Sequence, residues 1–236
     1  MENARRRPAD LGRRDLLRTI GSAGGLVVLA GCATAGSAGA RDASEGGHEE
    51  AEVTPGEDLM QEHGVLERIL LIYDEAARRI DQGGPFDAAP IASAAAIIRR
   101  FVEDYHEKLE EKFVFPRLEA ARREAELTAV LRQQHKRGRE LTDEVLRLVR
   151  AGTASPQLAQ TLRSFERMYR PHAAREETVL LPAFRRVVGG GYRELGAEFE
   201  EQEHQLFGEG GFEKTVAEVA SIEAALGIGD LAKFTA

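Results

Sequence analysis

The chain contains one short pattern of metal-binding residue types twice. His106 is followed by Glu at the fourth and fifth positions, by three bulky apolar residues at the seventh to ninth and by proline at the tenth, and His172 begins a second copy. Residues four apart share one face of a helix, so His106 can act with Glu110, and His172 with Glu176. An imidazole nitrogen beside a carboxylate oxygen suits iron, manganese or zinc. One copy alone would indicate a surface ion pair, whereas two copies in register favour a metal site.

Another histidine precedes each copy, on a helical pattern of its own. His63 lies ahead of the first copy and His135 ahead of the second, so the chain repeats a histidine helix followed by a His-x-x-x-Glu helix. Buried imidazoles and carboxylates are costly unless something pairs them, and a pair of metal ions provides that partner. The predicted ligands are one histidine from each helix and one glutamate from each copy: His63, His106, Glu110, His135, His172 and Glu176.

The order of these ligands resembles the hemerythrin-like (HHE, cation-binding) family, over roughly residues 57 to 188. The resemblance implies a four-helix bundle whose core holds two non-haem irons, ligated by histidines and bridged by carboxylates. From the symmetry of the repeat, we expect the two histidines of each unit to bind one metal and the two glutamates to bridge the metals. Oxygen-transporting hemerythrins have five histidines and an asymmetric site, whereas the two histidine pairs here are predicted to be equivalent.

Four further residues are candidates for an extra ligand or for a hydrogen bond to a ligand. Glu107 follows His106, but Ala173 fills the matching position of the second copy, so a solvent-facing Glu107 is the preferred interpretation. Tyr105 and Tyr169 lie beside or one turn before ligand histidines, where they supply either a hydroxyl or ordinary core packing. His204 either reaches the metal and gates access to it, or is a surface or packing histidine.

Apolar stripes at helical spacing predict the elements that position these residues. The first helix starts at a Thr54 cap, the second near Ala88 to Ile91, the third runs roughly from Glu124 to Arg150, and Ser155 with Pro156 caps the fourth. Pro116 is expected to kink or restart the second helix. The predicted fold class is all-α: an up-down-up-down four-helix bundle over residues 54–188, with a helical extension over 189–236 packed on it.

Composition limits the possible partners. The 236 residues carry a net charge of -8, and residues 1–31 are basic, so the remainder is more acidic still. An acidic surface argues against nucleic acid as a partner. Cys32 is the single cysteine, which excludes an intramolecular disulfide and a cysteine-based zinc or iron–sulfur site.

The N-terminus resembles an export signal. Arg13 and Arg14 lie in a basic region like that of twin-arginine signals, a short glycine-rich apolar run follows, and Leu29 to Cys32 resembles a lipobox. We predict a signal over residues 1–31, lipid attachment at Cys32 and a flexible tether over 32–53, rich in small and charged residues. The protein would then be exported and held outside the membrane by lipid. The alternative is a disordered basic tail with an incidental cysteine.

These observations predict an exported non-haem di-iron protein that binds or senses O2, NO or peroxide. A catalase- or peroxidase-like enzyme would use the same ligands with a proton donor such as Tyr105, Glu107 or His204. A third class is a structural or metal-handling module for iron or zinc, because His and Glu accept several metals. A sensor would need an unidentified signalling or redox partner, since no signalling domain follows the bundle.

Overall fold

The computed structural model describes residues 53–234, which are almost entirely helical and contain no strand. The predicted all-α bundle with a helical C-terminal extension is confirmed. The predicted export signal, the lipid-attachment residue Cys32 and nearly all of the predicted tether lie outside the described residues.

Four long helical runs come first and three shorter helices follow. Helix α2 covers residues 88–120 and α4 covers residues 156–188, each including π-helical turns. The other helices are α1 Pro55–Asp81, α3 Ala125–Val149, α5 Tyr192–Phe207, α6 Gly211–Leu226 and α7 Leu231–Phe234.

Local sequence accounts for the helix starts. The Thr54 hydroxyl accepts from the Glu57 N–H, and the Glu57 side chain accepts from the Thr54 N–H, so α1 begins with a capping box. Asp87 caps α2 through the Ala89 N–H, and Ser155 caps α4 through the Leu158 N–H. These caps satisfy backbone donors that have no partner inside the helix.

Both His-x-x-x-Glu segments widen into π-helix at the glutamate. The turns are Glu110–Val114 in α2 and Glu176–Leu180 in α4, and in each the N–H after the turn bonds to the glutamate carbonyl five residues back. Pro116 and Pro182 then fall in the first turn of the following α-helical segment, where a missing N–H costs little. Helical hydrogen bonding therefore continues past Pro116, and the predicted restart takes the form of a change from the wider turn to an α-helical segment at Phe115.

The first four helices surround one apolar core. Helix α1 packs against α2 and α4, and α3 packs against the same two helices from the opposite side. Short connections of a few residues join successive helices, as an up-down-up-down bundle requires. Large buried side chains fill the core around the predicted ligands: Leu66, Leu70, Tyr73, Phe101, Phe115, Leu131, Phe165 and Phe184.

The C-terminal extension covers the α1 and α2 side of the bundle. Phe199 of α5 packs against Phe113, with ring centroids 5.4 Å apart, and Phe207 packs against Phe101 and Tyr105 at 5.7 and 5.4 Å. Helix α6 lies on α1 and α2. The apolar face of α6 thus completes the core on this side. Across residues 53–234, no helix combines the length and apolar character needed to cross a membrane.

Candidate metal centre

One histidine from each bundle helix reaches the same level of the core. His63 lies on α1, His106 on α2, His135 on α3 and His172 on α4, and none is more than 4% exposed. Glu110 and Glu176, one helical turn after the histidines of α2 and α4, are fully buried. The structure therefore brings all six predicted ligands together at one level of the core.

The Nε2 atoms of the four imidazoles face the two glutamates. Glu176 lies 3.0 Å from His172 Nε2 and 3.3 Å from His63 Nε2. Glu110 lies 3.4 Å from His135 Nε2 and 3.8 Å from His106 Nε2. Each carboxylate thus faces one histidine of its own helix and one of a neighbouring helix.

These ligand atoms form two overlapping groups. One contains His63 and His106, the other His135 and His172, and both include Glu110 and Glu176, with the ligand atoms of each group within 4.8 Å of one another. The histidine rings are 4.8 Å apart in the first pair and 5.0 Å in the second. The geometry allows two cations that share the two glutamates.

The buried polar atoms of this cluster fit a cation. Among the residues described, His63 Nε2, His135 Nε2 and both carboxylate oxygens of Glu110 and Glu176 make no hydrogen bond. Leaving such groups buried without a compensating bond is costly, and a positive ion among them would offset that cost. The mixed imidazole and carboxylate set suits iron, manganese or zinc.

The outer nitrogen of every histidine is held by the next helix around the bundle. Glu62 of α1 lies 2.8 Å from His106 Nδ1, and Glu111 of α2 lies 3.1 Å from His135 Nδ1. The links Gln134 to His172 Nδ1, at 3.0 Å, and Glu177 to His63 Nδ1, at 3.2 Å, continue the pattern through α3 and α4 back to α1. An acceptor on each Nδ1–H leaves the Nε2 lone pair directed at the centre.

Sequence reasoning did not assign roles to these four holding residues, although their positions repeat. Glu111 and Glu177 are the second glutamates of the two copies, and Glu62 and Gln134 each precede the histidine of a histidine helix. The matching positions of these residues in the two repeats were therefore the sequence signal that could have identified them. Packing across the bundle decides which helix each of these side chains reaches. The residue spacing within a single helix does not reveal that packing.

Glu107 is buried and not solvent-facing, so the preferred interpretation of this residue was wrong. Only 1% exposed, it accepts a hydrogen bond from the Tyr169 hydroxyl at 2.7 Å and pairs with Arg139 at 2.6 Å. A Cβ on Gly138 would lie 2.0 Å from the Tyr169 hydroxyl oxygen, so a glycine is needed there. The space beside Gly138 holds a tyrosine of the bundle.

The remaining two candidates lie in different surroundings. Tyr105 is buried, and its ring packs against Phe101 and Phe207 of the core and extension. His204 is exposed on α5 and belongs to none of the ligand groups found among residues 53–234.

Burial and the charges of neighbouring groups raise the pKa values of some ligands and lower those of others. Burial, followed by the charge of Glu176, raises the pKa of Glu110. Burial also opposes ionisation of Glu176, but contacts with His172 and His63 lower its pKa. Although burial disfavours the charged form of His63, its close contacts with the carboxylates of Glu176 and Glu177 raise its pKa to about 9, whereas burial lowers the pKa of His135 to about 4. The metal-free site therefore holds protons that a cation would displace.

Comparison with known proteins identifies one family. The model of the hemerythrin HHE cation binding domain matches residues 54–219, a span that continues through α5 and into α6. An uncharacterized protein of Mycobacterium bovis and two from strains of Mycobacterium tuberculosis are each 46% identical to the chain over 237 residues, covering 97% of the chain and 92% of each relative. No solved structure matches.

Proposed function

The chain belongs to the hemerythrin HHE cation-binding family, and from that membership we propose that it is a non-haem di-iron protein that binds or senses O2, NO or peroxide. The family and the buried His and Glu groups support metal binding, with iron the typical metal. Two irons and a small diatomic or peroxide ligand are the further steps of the proposal.

One observation carries it. Four imidazole Nε2 atoms converge on two buried glutamates while every Nδ1 contacts an acceptor from another helix. Orientation of imidazoles by outer hydrogen bonds is typical of metal sites and has no equivalent need in an apolar core. The histidines are therefore arranged as ligands.

Iron bound here would supply the electrons with which a small ligand is bound or reduced. His63 and His106 would hold one ion, His135 and His172 the other, and Glu110 with Glu176 would bridge them. The surrounding side chains, including fully buried Phe115 and Phe165, exclude bulk water from the centre. Glu107 and Tyr169 keep a bonded proton close to the ligands.

The first test is a metal count on the anaerobically purified full chain, followed by visible spectra as air, nitric oxide or peroxide is added. We expect two irons per chain and a spectrum that changes with at least one of the three ligands. One zinc per chain, or a spectrum that none of them changes, would favour a structural or metal-handling module.

A test of the bridging role replaces Glu110 and Glu176 together with Ala. The double variant should lose metal and have a less stable bundle, because four buried imidazoles then lack both the cation and the carboxylates. A double variant that retained two irons per chain would rule out bridging by these residues.

A catalase- or peroxidase-like activity is the second candidate, favoured by the buried Tyr169–Glu107 hydrogen bond beside the site. Tyr169→Phe removes the donated proton but keeps the ring that packs on Phe165 and His172. If this activity exists, oxygen release from peroxide should fall in the variant while metal content stays constant. Equal rates at equal metal content would exclude Tyr169 from such a reaction.

Export and lipid anchoring remain proposals supported by the N-terminal sequence alone. Cys32→Ser should move the protein from the membrane fraction to the soluble exported fraction, since the lipid would have no attachment point. Continued anchoring would contradict the lipobox. An exported sensor would act on a signalling or redox partner, which pull-down from membranes of the wild-type strain could identify.

A further inference from the structure

The two histidine pairs are held by chemically different acceptors. We call His63 and His106 the first half of the site, and His135 and His172 the second half. We infer that the halves are unequal and that the first half takes up a divalent metal before the second. This inference rests on the proposed two-metal site and names the positioning residues that would divide it.

Glu62 and Gln134 occupy matching places in the repeat but differ in charge. Each directly precedes a ligand histidine and reaches the Nδ1 of the histidine on the following helix, at 2.8 Å for Glu62 and 3.0 Å for Gln134. A carboxylate acceptor strengthens the hydrogen bond and makes the imidazole a more basic ligand through its Nε2. The neutral amide oxygen of Gln134 does this less for His172 than Glu62 does for His106.

The other matched pair, Glu111 and Glu177, differs in its cationic neighbours. Glu111 contacts Lys108 at 2.6 Å and Arg139 at 2.8 Å in addition to His135. Glu177 contacts His63, and no Lys or Arg of residues 53–234 pairs with it. Because Glu111 shares its charge with two cations, it polarises His135 less than Glu177 polarises His63.

The distances from the acceptor oxygens to the histidine Nδ1 atoms do not distinguish the two halves, because all four lie between 2.8 and 3.2 Å. The charge of the acceptors does distinguish them: two carboxylates support the first half, whereas one amide and one cation-paired carboxylate support the second. Changes in the groups behind metal ligands typically alter metal affinity by about 10- to 100-fold. With all four histidines deprotonated, the first half should therefore bind more tightly by a factor of that order.

The test titrates Zn²⁺ at pH 9, where protons compete little at His63, into the metal-free full chain labelled with 15N in its imidazoles. NMR follows which ring nitrogens shift, and competition with a chromophoric chelator gives the two affinities. His106 is identified as the histidine whose resonance is displaced by Glu62→Gln. We expect two histidines, His106 among them, to shift with the first equivalent of zinc and two more with the second.

Reciprocal variants separate this role from simple support of the fold. Glu62→Gln should weaken the first binding step by roughly 10- to 100-fold, and Gln134→Glu should strengthen the second step by a similar factor. Both exchanges keep side-chain length and an acceptor oxygen. Should Glu62→Gln fail to fold, Gln134→Glu decides alone, since an unchanged second step would refute the inference.

Two outcomes overturn the inequality while leaving a two-metal site intact: all four histidines shift in parallel, or Glu62→Gln weakens both steps equally. Absence of zinc and iron binding in the wild-type chain would instead overturn the proposed function itself.

Discussion

Gly138 and Tyr169 show how one missing side chain sets the position of another. The Tyr169 hydroxyl oxygen lies only 2.0 Å from the position of a Cβ on residue 138, and from there it donates a hydrogen bond to Glu107. A glycine inside a helix costs about 1 kcal/mol relative to alanine. Glycine is nevertheless required at this position, because the hydrogen bond from Tyr169 to the buried Glu107 carboxylate needs the space.

Gly138→Ala should therefore destabilise the protein by about 1–3 kcal/mol, as overpacking of a core does, because Tyr169 must move and release Glu107. Gly64→Ala is the matched control, since nothing lies within 4 Å of a Cβ there on α1, and it should stabilise by up to about 1 kcal/mol. Denaturant unfolding measures both. Two variants with equal stability would contradict the steric role of Gly138.

Proton release from His63 should make metal binding pH-dependent. Its pKa in the folded metal-free chain is raised to about 9, so the stability that its proton contributes is complete below the ordinary value of 6.5 and is lost as pH rises through 9. Metal must displace that proton. Apparent metal affinity should rise between pH 6.5 and 9, and the raised pKa of Glu110 acts in the same direction.

Chelator competition at pH 6.5, 8 and 9 measures the affinity, and unfolding of the metal-free chain over the same range measures the stability. An affinity that did not change with pH would show that His63 is already deprotonated in the metal-free fold.

The sequence predicted the residue types of the site better than their partners. The repeated His-x-x-x-Glu spacing, together with the histidine that precedes each copy, pointed to six residues that the structure places at one level of the core. Glu107 was misjudged because Ala173 fills the matching position of the second copy, which favoured a solvent-facing glutamate. Its burial depends on Arg139 and Tyr169, which come from two other helices and are 32 and 62 positions away.

At the scale of the helices, periodicity predicted where each one lies but not the π turns inside α2 and α4. A stripe at 3.6-residue spacing indicates a helix and its buried face. A local π turn inserts one residue and shifts the stripe after it by one position, and the helical segments that follow Glu110 and Glu176 are too short to show that shift. Pro116 was the available signal: it predicted a kink or restart, and the π turn lies immediately before it.

Removing a proline should test whether the π turn positions its glutamate. In Pro116→Ala the regained N–H can bond in α-helical register, which would rotate Glu110 away from its present direction. We expect metal affinity to fall by roughly tenfold or more, as for other changes behind a ligand, without loss of stability in the metal-free chain.

Pro156→Ala is the control, because Pro156 begins α4 and lies in no π turn. Its metal affinity should match that of the wild type. If Pro116→Ala also left affinity unchanged, the proline would not be what maintains the turn.

At the scale of the whole molecule, aromatic side chains of the C-terminal extension cover aromatic side chains of α2 on one side of the bundle. Phe199→Ala should destabilise the protein by about 3–5 kcal/mol, because the ring is fully buried against Phe113. Leu206→Ala, on the same helix but 60% exposed, should change stability by no more than about 0.5 kcal/mol.

Denaturant unfolding compares the two variants, and hydrogen exchange locates the loss, which we expect in α5 and α6 first. Similar effects from both substitutions would mean that the extension is not packed on the bundle in solution.

The ring of holding residues also bears on how such a bundle could originate by duplication. The link from α4 to α1 uses Glu177 and His63, and the link from α2 to α3 uses the same repeat positions, Glu111 and His135. Two identical helical hairpins could therefore assemble as a symmetric dimer with every link in place. Because its two chains are identical, such a dimer must have the same residue at each matching position of the two hairpins. Fusion into a single polypeptide removes that constraint, and Glu62 opposite Gln134 is a divergence that a dimer of identical hairpins cannot accumulate.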